Sequence, residues 1–270
     1  MGRFSKLETG KGRDDLKPAA AREAGGQSAE GIADEDLYDY VHYVERGDEA
    51  FFGGQFDRAM RLYSRALQAE STQSRPWIGQ VLSLLEQGQL READAWSARA
   101  LHQFPEDHDI ISLRAVVYAH QGMDKRAMGS SDYAFTRGES VFGWIARGHT
   151  LLIAGSKNAD MCFEKAMERV TGDDWKSPFL IGRIYYRRKR FSKALEYFQR
   201  SCAMRVNNAN LWHYIGLCRE RLGFQREAVE AYERSLEHDA DFIPAQKSLY
   251  SATHPSLLSS LFRSFGRGKK

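Results

Sequence analysis

The chain has 270 residues, and 39 lysines and arginines against 36 aspartates and glutamates give a formal net charge of +3. Apolar residues make up 42% and charged residues 28%, which excludes a wholly disordered chain, a collagen-like chain and a strongly basic nucleic-acid coat protein. No run of about 18 apolar residues occurs, so the sequence predicts no membrane-spanning helix. Its first residues lack the apolar core of a secretory signal, and we expect a cytoplasmic protein.

Residues 1–33 are polar, rich in glycine and alanine and mixed in charge, which predicts a disordered N-terminal tail. The three cysteines Cys162, Cys202 and Cys218 are far apart and lack the spacing of zinc ligands, so reduced thiols are expected. The sequence also lacks the nucleophile-elbow, zinc-protease, dinucleotide and phosphate-loop patterns. We therefore expect no catalytic residues, no metal, no cofactor and no enzyme activity.

From residue 34 onward, small residues recur with one period. Two series keep a step of 34 residues, namely Gly54, Gly88 and Gly122, and Ala59, Ala93 and Ala127. Each period contains two amphipathic stretches joined by a glycine turn, which predicts a pair of helices. Glycine and alanine allow the two helix backbones to approach within about 8–10 Å. Six such units are predicted, with starts near residues 40, 74, 108, 141, 175 and 209.

The last of these units shows the residue pattern most clearly. Trp212 and Gly216 lie on its first helix, and Ala228 and Tyr232 lie on its second. This pattern resembles the tetratricopeptide-repeat (TPR) family. The resemblance covers about residues 36–251 and implies an all-α, right-handed superhelical solenoid of about six TPR helix pairs. The array is placed at 34–251, with a C-terminal capping helix at 241–251.

The fourth unit departs from the pattern. Its second-helix residues, beginning with Ala159, come one position early after Gly155. We expect a shortened turn between the two helices of this unit.

Residues 252–270 form a basic amphipathic tail. At 100° per residue, its apolar side chains Leu257, Leu258, Leu261, Phe262 and Phe265 fall within an arc of about 140°. Three interpretations stay open for this segment: a helix docked back on the array, a partner-binding helix, or peripheral contact of residues 256–270 with an anionic membrane surface.

In TPR superhelices the first helix of each pair lines the concave surface, so the resemblance implies a peptide-binding groove there. The first half of this groove is apolar and the second half is basic and aromatic. Its predicted residues are Val44, Phe51, Phe52, Ile78, Leu82, Leu85, Val116, Ile145, His149, Lys176, Phe179, Arg183, Tyr186, Arg187, Asn210, His213 and Arg221.

The charges divide in the same way. Residues 34–140 hold 11 basic and 18 acidic side chains, whereas residues 141–270 hold 22 basic and 13 acidic ones. The sharpest local feature is YYRRKR at residues 185–190. Two interpretations stay open: its cations complement the carbonyls of a helix end, or Arg183 and Arg187 engage an acidic segment. The chaperone-tail clamp of the family is not inferred, because Val44 and Asp48 occupy its lysine and asparagine positions.

The sequence therefore favours a non-catalytic protein–protein interaction scaffold, an adaptor or an assembly chaperone. Its partner is expected to be a protein or peptide with an acidic segment, held in the concave groove. One alternative is nucleic-acid binding, in which the tyrosines and arginines of units 5 and 6 stack on bases and neutralise phosphates. Another is a self-assembling scaffold, a homo-oligomer in which the oppositely charged halves pair head to tail.

Overall fold

The computed structural model describes residues 39–204 and 207–254; the predicted tail 1–33 and the amphipathic segment 256–270 lie outside them. The described residues form thirteen α-helices and no β-strand. The helices are α1 (Tyr40–Phe52), α2 (Phe56–Ala69), α3 (Arg75–Glu86), α4 (Leu90–Gln103), α5 (His108–His120), α6 (Asp124–Arg137), α7 (Val141–Ile153), α8 (Ala159–Arg169), α9 (Lys176–Arg187), α10 (Phe191–Met204), α11 (Ala209–Arg221), α12 (Gln225–His238) and α13 (Ile243–Thr253).

Consecutive helices pack as antiparallel pairs, and each pair is one repeat of the sequence. The first helix of every pair begins at, or one residue after, the predicted start of its unit. The predicted all-α superhelical repeat fold is therefore confirmed. Among the described helices, none is both long enough and apolar enough to cross a membrane.

Glycine on the first helix lets the second helix of a pair come close. At Gly216 of α11, an added Cβ would lie 2.4 Å from the ring of Tyr232, which is fully buried on α12. The same contact recurs in three more units, where Gly47 faces Tyr63, Gly148 faces Phe163 and Gly182 faces Phe198. The repeated small residue therefore leaves room for an aromatic ring from the partner helix.

This contact leads to a stability prediction. Gly216→Ala is expected to destabilise the array by about 1–3 kcal/mol, since the Tyr232 ring must shift within a packed core. The matched control is Gly129→Ala on α6, where an added Cβ meets nothing within 4 Å. That control is expected to be neutral or to stabilise by up to about 1 kcal/mol, because alanine favours the helix. Urea denaturation followed by circular dichroism measures both, and equal midpoints would contradict the packing argument.

The turn inside each pair uses a left-handed residue. Gly88 has φ +74°, and the same turn position in unit 5 is Lys189, with φ +58°. A lysine in this region is strained by roughly 1 kcal/mol, because its Cβ crowds the following carbonyl. Unit 4 differs from our expectation: five residues, 154–158, separate α7 from α8, whereas three separate the helices of the other pairs. The early Ala159 therefore reflects a late start of α8 and a longer turn, and the predicted shortened turn is wrong.

The superhelix curves enough for its two ends to meet. At the junction of units 3 and 4, α7 packs more closely on α5 than other successive first helices pack on each other. Ser112 and Gly143 lie at this contact, where an added Cβ on the glycine would be 3.6 Å from the serine oxygen. As a result, one continuous core cluster joins Phe51 and Phe52 of unit 1 to Phe179 and Leu211 of units 5 and 6.

Candidate functional site

The concave surface is the candidate site, and its most buried charge is Arg183 of α9. This side chain is 2% exposed, and its Nη2 atom lies 2.5 Å from Oε2 of Glu86, the last residue of α3. Arg187, one turn further along α9, bonds the same oxygen at 2.9 Å and donates to the Leu85 carbonyl at 3.0 Å. Burial would lower the pKa of Arg183, but the Glu86 carboxylate outweighs it and raises that pKa. We call these contacts the Glu86 tie.

A second ion-pair group connects α1 to α9 at the other end of the same surface. Oδ2 of Asp48 accepts hydrogen bonds from Lys176 Nζ at 2.7 Å and from Arg75 Nη2 at 2.5 Å. Its other oxygen accepts from the Tyr63 hydroxyl at 2.9 Å. Burial would raise the pKa of Asp48, but the two cations outweigh it and hold the pKa below its ordinary value. We call these contacts the Asp48 tie.

Aromatic rings fill the space between the ties. The Phe52 ring lies edge-on to Trp175 at 5.1 Å and to Phe179 at 5.5 Å between ring centroids. Asn210 of α11 donates its Nδ2 to the Phe52 carbonyl at 2.9 Å. The guanidinium of Arg183 lies above the Phe51 ring, 5.3 Å from its centroid. Units 1 and 2 therefore contact units 5 and 6 through both charge and apolar packing.

Little room remains inside the concave surface. Between Leu82, Val116, Ile145, His149 and Leu180, the remaining cavity measures about 20 Å³, close to the volume that a single water needs. A peptide helix does not fit there in this conformation. A larger cleft of about 520 Å³ opens at the mouth, where Glu45 and Glu49 of α1 face Asn208, His238 and Asp239.

The structure brings most of the predicted groove residues to this one surface. Phe51, Phe52, Phe179, Arg183 and Asn210 are buried at the contact between the two ends, and Val44 is buried with Tyr43 and Ala66 inside unit 1. Leu82, Leu85, Val116, Ile145, His149 and Arg187 line the small cavity. Lys176 borders the mouth cleft. The remaining four lie further out: Ile78 is half-buried against the core of units 2 and 3, His213 packs on Phe242, Tyr186 packs on Tyr214, and Arg221 is exposed.

The YYRRKR segment at residues 185–190 ends α9. Tyr185 is fully buried and donates its hydroxyl to Asp160, so its ring offers no surface for stacking on a nucleic-acid base. Arg188 lies 3.5 and 3.4 Å from the Leu152 and Ile153 carbonyls at the end of α7. Arg188 therefore fits the first interpretation, in which a cation complements the carbonyls at a helix end. Arg183 and Arg187 face the concave side, and the carboxylate they meet there is Glu86 of the same chain.

Sequence reasoning missed Glu86 and Arg75 as site residues, and it placed Asp48 at a groove position without assigning it a partner. A signal for Glu86 was present, since it is a single acid at the end of the apolar stretch VLSLLE. The sequence offers no indication that Asp48 is paired, because a carboxylate near a helix end is ordinarily solvated.

Two half-buried histidines form a further polar group on this surface. His120 and His149 meet edge-to-face with 5.1 Å between ring centroids. Burial and the nearby Arg187 lower the pKa of His120 to about 4, and burial holds the pKa of His149 well below its ordinary value. Over residues 39–204 and 207–254, no three His, Cys, Asp or Glu side chains are grouped closely enough to hold a metal ion.

No protein-family model and no curated protein matches the chain. Solved structures do match, all at low identity. A TPR protein from Parabacteroides merdae matches at 14% identity and TM-score 0.48, over 82% of this chain and 87% of that one. YrrB, a TPR protein with an unusual peptide-binding site, matches at 19% identity and TM-score 0.41, over 69% and 96%. The APC/C hetero-tetramer Cut9–Hcn1 matches at 16% identity and TM-score 0.47 over 81% of this chain, which spans 44% of that chain.

The fold assignment rests on the chain's own geometry, since these likenesses are too distant to carry it. The evidence consists of the 34-residue period, the antiparallel helix pairs, the glycine–aromatic contact within pairs and the left-handed residue in each turn. Together these features establish an all-α superhelical array of helix pairs, whose residue pattern resembles that of the tetratricopeptide-repeat family.

Proposed function

We propose that the protein is a non-catalytic protein-interaction scaffold, an adaptor or assembly chaperone, whose concave face binds an acidic segment of a partner protein. One observation carries the proposal: α9 already holds carboxylates on this face, delivered by Asp48 and Glu86 from distant repeats. A partner segment with similarly placed acids would bind by the same chemistry.

Each tie carries more positive than negative charge. Asp48 forms ion pairs with both Lys176 and Arg75, and Glu86 forms ion pairs with both Arg183 and Arg187. Two cations share one carboxylate in both places, so each tie is left with a net charge of +1. This charge attracts a further carboxylate from a partner, and at Lys176 the acids Glu45, Glu49 and Asp239 of the mouth cleft act against that attraction.

The outer cation of each tie is within reach of solvent. The side chain of Lys176 is 35% exposed and that of Arg187 is 40% exposed. These residues lie at the two ends of α9, about 16 Å apart at 1.5 Å per residue. An extended peptide covers this distance with about five residues. The preferred partner segment therefore has acidic side chains about five positions apart.

The two alternatives lose part of their support. Nucleic-acid binding relied on aromatic stacking, but Tyr185 is buried and Tyr186 packs edge-on against Phe191 and Tyr214. Head-to-tail assembly relied on opposite charges on the two halves, and the ties already pair some of those charges within one chain. Neither alternative is favoured by a feature of its own.

The test uses a fluorescently labelled hexaglutamate peptide and the double variant Lys176→Gln, Arg187→Gln. We expect the dissociation constant of the peptide to be at least about tenfold higher for the double variant than for the unchanged protein. The variant loses two charge-assisted contacts with the peptide but keeps the buried Arg183–Glu86 pair. Fluorescence anisotropy at low and at physiological salt measures the affinity.

The matched control is Lys193→Gln, Arg200→Gln, which removes the same charge from α10, where these residues pair with Asp160 and Glu164. Its affinity is expected to stay close to that of the unchanged protein. Equal losses in both double variants would reduce the effect to net charge, and no loss in either would contradict the proposed site. Affinity capture from native lysate with the same three forms would then identify the partner by mass spectrometry.

A further inference from the structure

The last helix, α13, keeps the step of the repeat. It begins at Ile243, which is 34 residues after Ala209, the first residue of α11. It also packs against α12 and α11 as a first helix packs against the preceding pair. By position, α13 is therefore the first helix of a seventh unit.

One face of α13 is uncovered where every earlier unit is covered. The eighth residue of each unit is buried beneath that unit's second helix; these residues are Gly47, Val81, Ala115, Gly148, Gly182 and Gly216. The eighth residue from Ile243 is Tyr250, and it is 66% exposed. Ile243, two helical turns away on the same face, is 58% exposed. In the repeat geometry, a second helix covers this face.

We propose that residues 257–266 of the same chain dock on this face of α13 and close the array. The repeat step from Gln225 places the start of a seventh second helix at Ser259. Three residues separate the end of α13 from the stretch 257–266, and the five apolar side chains of this stretch fall on one side of a helix. Because the segment is tethered a few residues away, its effective concentration exceeds that of any separate chain.

Charge favours the same occupant. Residues 225–241, which form α12 and the turn after it, hold six acidic and two basic side chains. Residues 255–270 hold four basic and no acidic side chains. With its apolar arc on α13 the segment turns Arg263 and Arg267 outward, but its net positive charge is still attracted to the acidic end of the array, whereas a second acidic array end would be repelled.

The docking differs in detail from that of the other pairs. Tyr250 stands where they have a small residue, and Leu257 stands where five of the six have a turn glycine with positive φ. The segment therefore packs on the tyrosine ring rather than against the helix backbone, and a longer turn leads into it. This contact lies away from both ties and is independent of the proposed peptide site.

Hydrogen exchange on the full chain, read by mass spectrometry, tests the docking. Amides in 257–266 are expected to be protected, and Tyr250→Arg is expected to speed their exchange at least about tenfold. Tyr250 is exposed and its ring stacks on His254 just after α13, so the change removes that contact but leaves the buried side of α13 unaltered. The reciprocal variant Leu261→Glu, Phe262→Glu should release the segment in the same way.

The matched control is Ser259→Glu, Ser260→Glu, which adds the same two charges outside the apolar arc and should leave the protection in place. Protection must also be unchanged over a tenfold range of protein concentration, with a monomeric mass by light scattering. Three results would overturn the proposal: unprotected amides in the unchanged chain, protection confined to a dimer, or protection that arises only with phosphatidylserine–phosphatidylcholine vesicles.

Discussion

Glu86→Gln is expected to lower the free energy of unfolding by about 3 kcal/mol, because it leaves the buried guanidinium of Arg183 without a carboxylate. Glutamine keeps the shape of the side chain, so the loss reports charge rather than packing. Two arginine nitrogens, Nε and Nη1, have no hydrogen-bond partner among the described residues, and the neighbouring Tyr214 hydroxyl carries no charge that could replace the carboxylate. The urea midpoint followed by circular dichroism measures the effect.

Two comparison variants separate the loss of the buried Glu86–Arg183 pair from the general effect of removing a carboxylate. Glu49→Gln removes the exposed partner of Arg46 and is expected to cost less than about 1 kcal/mol. The double variant Glu86→Gln, Arg183→Met removes both charges and should recover much of the lost stability, since no uncompensated buried charge remains. If Glu86→Gln costs no more than Glu49→Gln, the Glu86 tie does not hold the ends of the array together.

Lowering the pH from 7 to 4.5 is expected to destabilise the protein by about 2.5 kcal/mol for each of two histidines, His120 and His213. Burial lowers the pKa of each to about 4 in the folded chain, against an ordinary value of 6.5. Between pH 4 and 6.5 the unfolded chain therefore binds protons that the folded chain does not. Stability rises with pH across this window and is fully present above it.

The variant His213→Asn isolates the contribution of His213 to the pH dependence of stability. The ring of His213 lies between Tyr232 and Phe242, and its Nε2 is 3.0 Å from the Ser248 hydroxyl. Whatever the variant costs at pH 7, its difference in stability between pH 7 and 4.5 should narrow by about 2.5 kcal/mol. The exposed His102→Asn on α4 is the control. An unchanged difference in the His213 variant would contradict the assigned cause.

The fold could be predicted because its determinants are local and periodic. First helices beginning at residues 108 and 209 follow from the 34-residue step, and the glycines at 148 and 216 are explained by the aromatic rings that they face. The prediction was wrong at the turn of unit 4. The sequence shows that Ala159 comes one position early, and this shift is consistent with either a shorter turn or a later start of the second helix. The sequence alone does not distinguish these two outcomes.

The site was predicted as a surface but not as a set of contacts. The repeat pattern brings Arg183 and Phe52 to the concave side, whereas their contact partners depend on how far the superhelix curves. Curvature follows from small differences such as the close contact of Ser112 with Gly143, and these accumulate over five repeats. The pairing of Asp48 with Lys176, 128 positions apart, is therefore visible only in three dimensions.

Closure between the two ends has a consequence for how the chain reaches its folded state. In an open solenoid each repeat meets only its neighbours, so folding can spread from any point and end repeats fray alone. Here the rings of Phe51 and Phe52 pack against Phe179. At a synthesis rate of about 5–20 residues per second, the ribosome adds Phe179 roughly 6–25 seconds after Phe52. The first repeat thus stays apolar and uncovered during synthesis, and its contact order exceeds that of an open array. Once α9 arrives, fraying of the first repeat requires breaking contacts with the fifth.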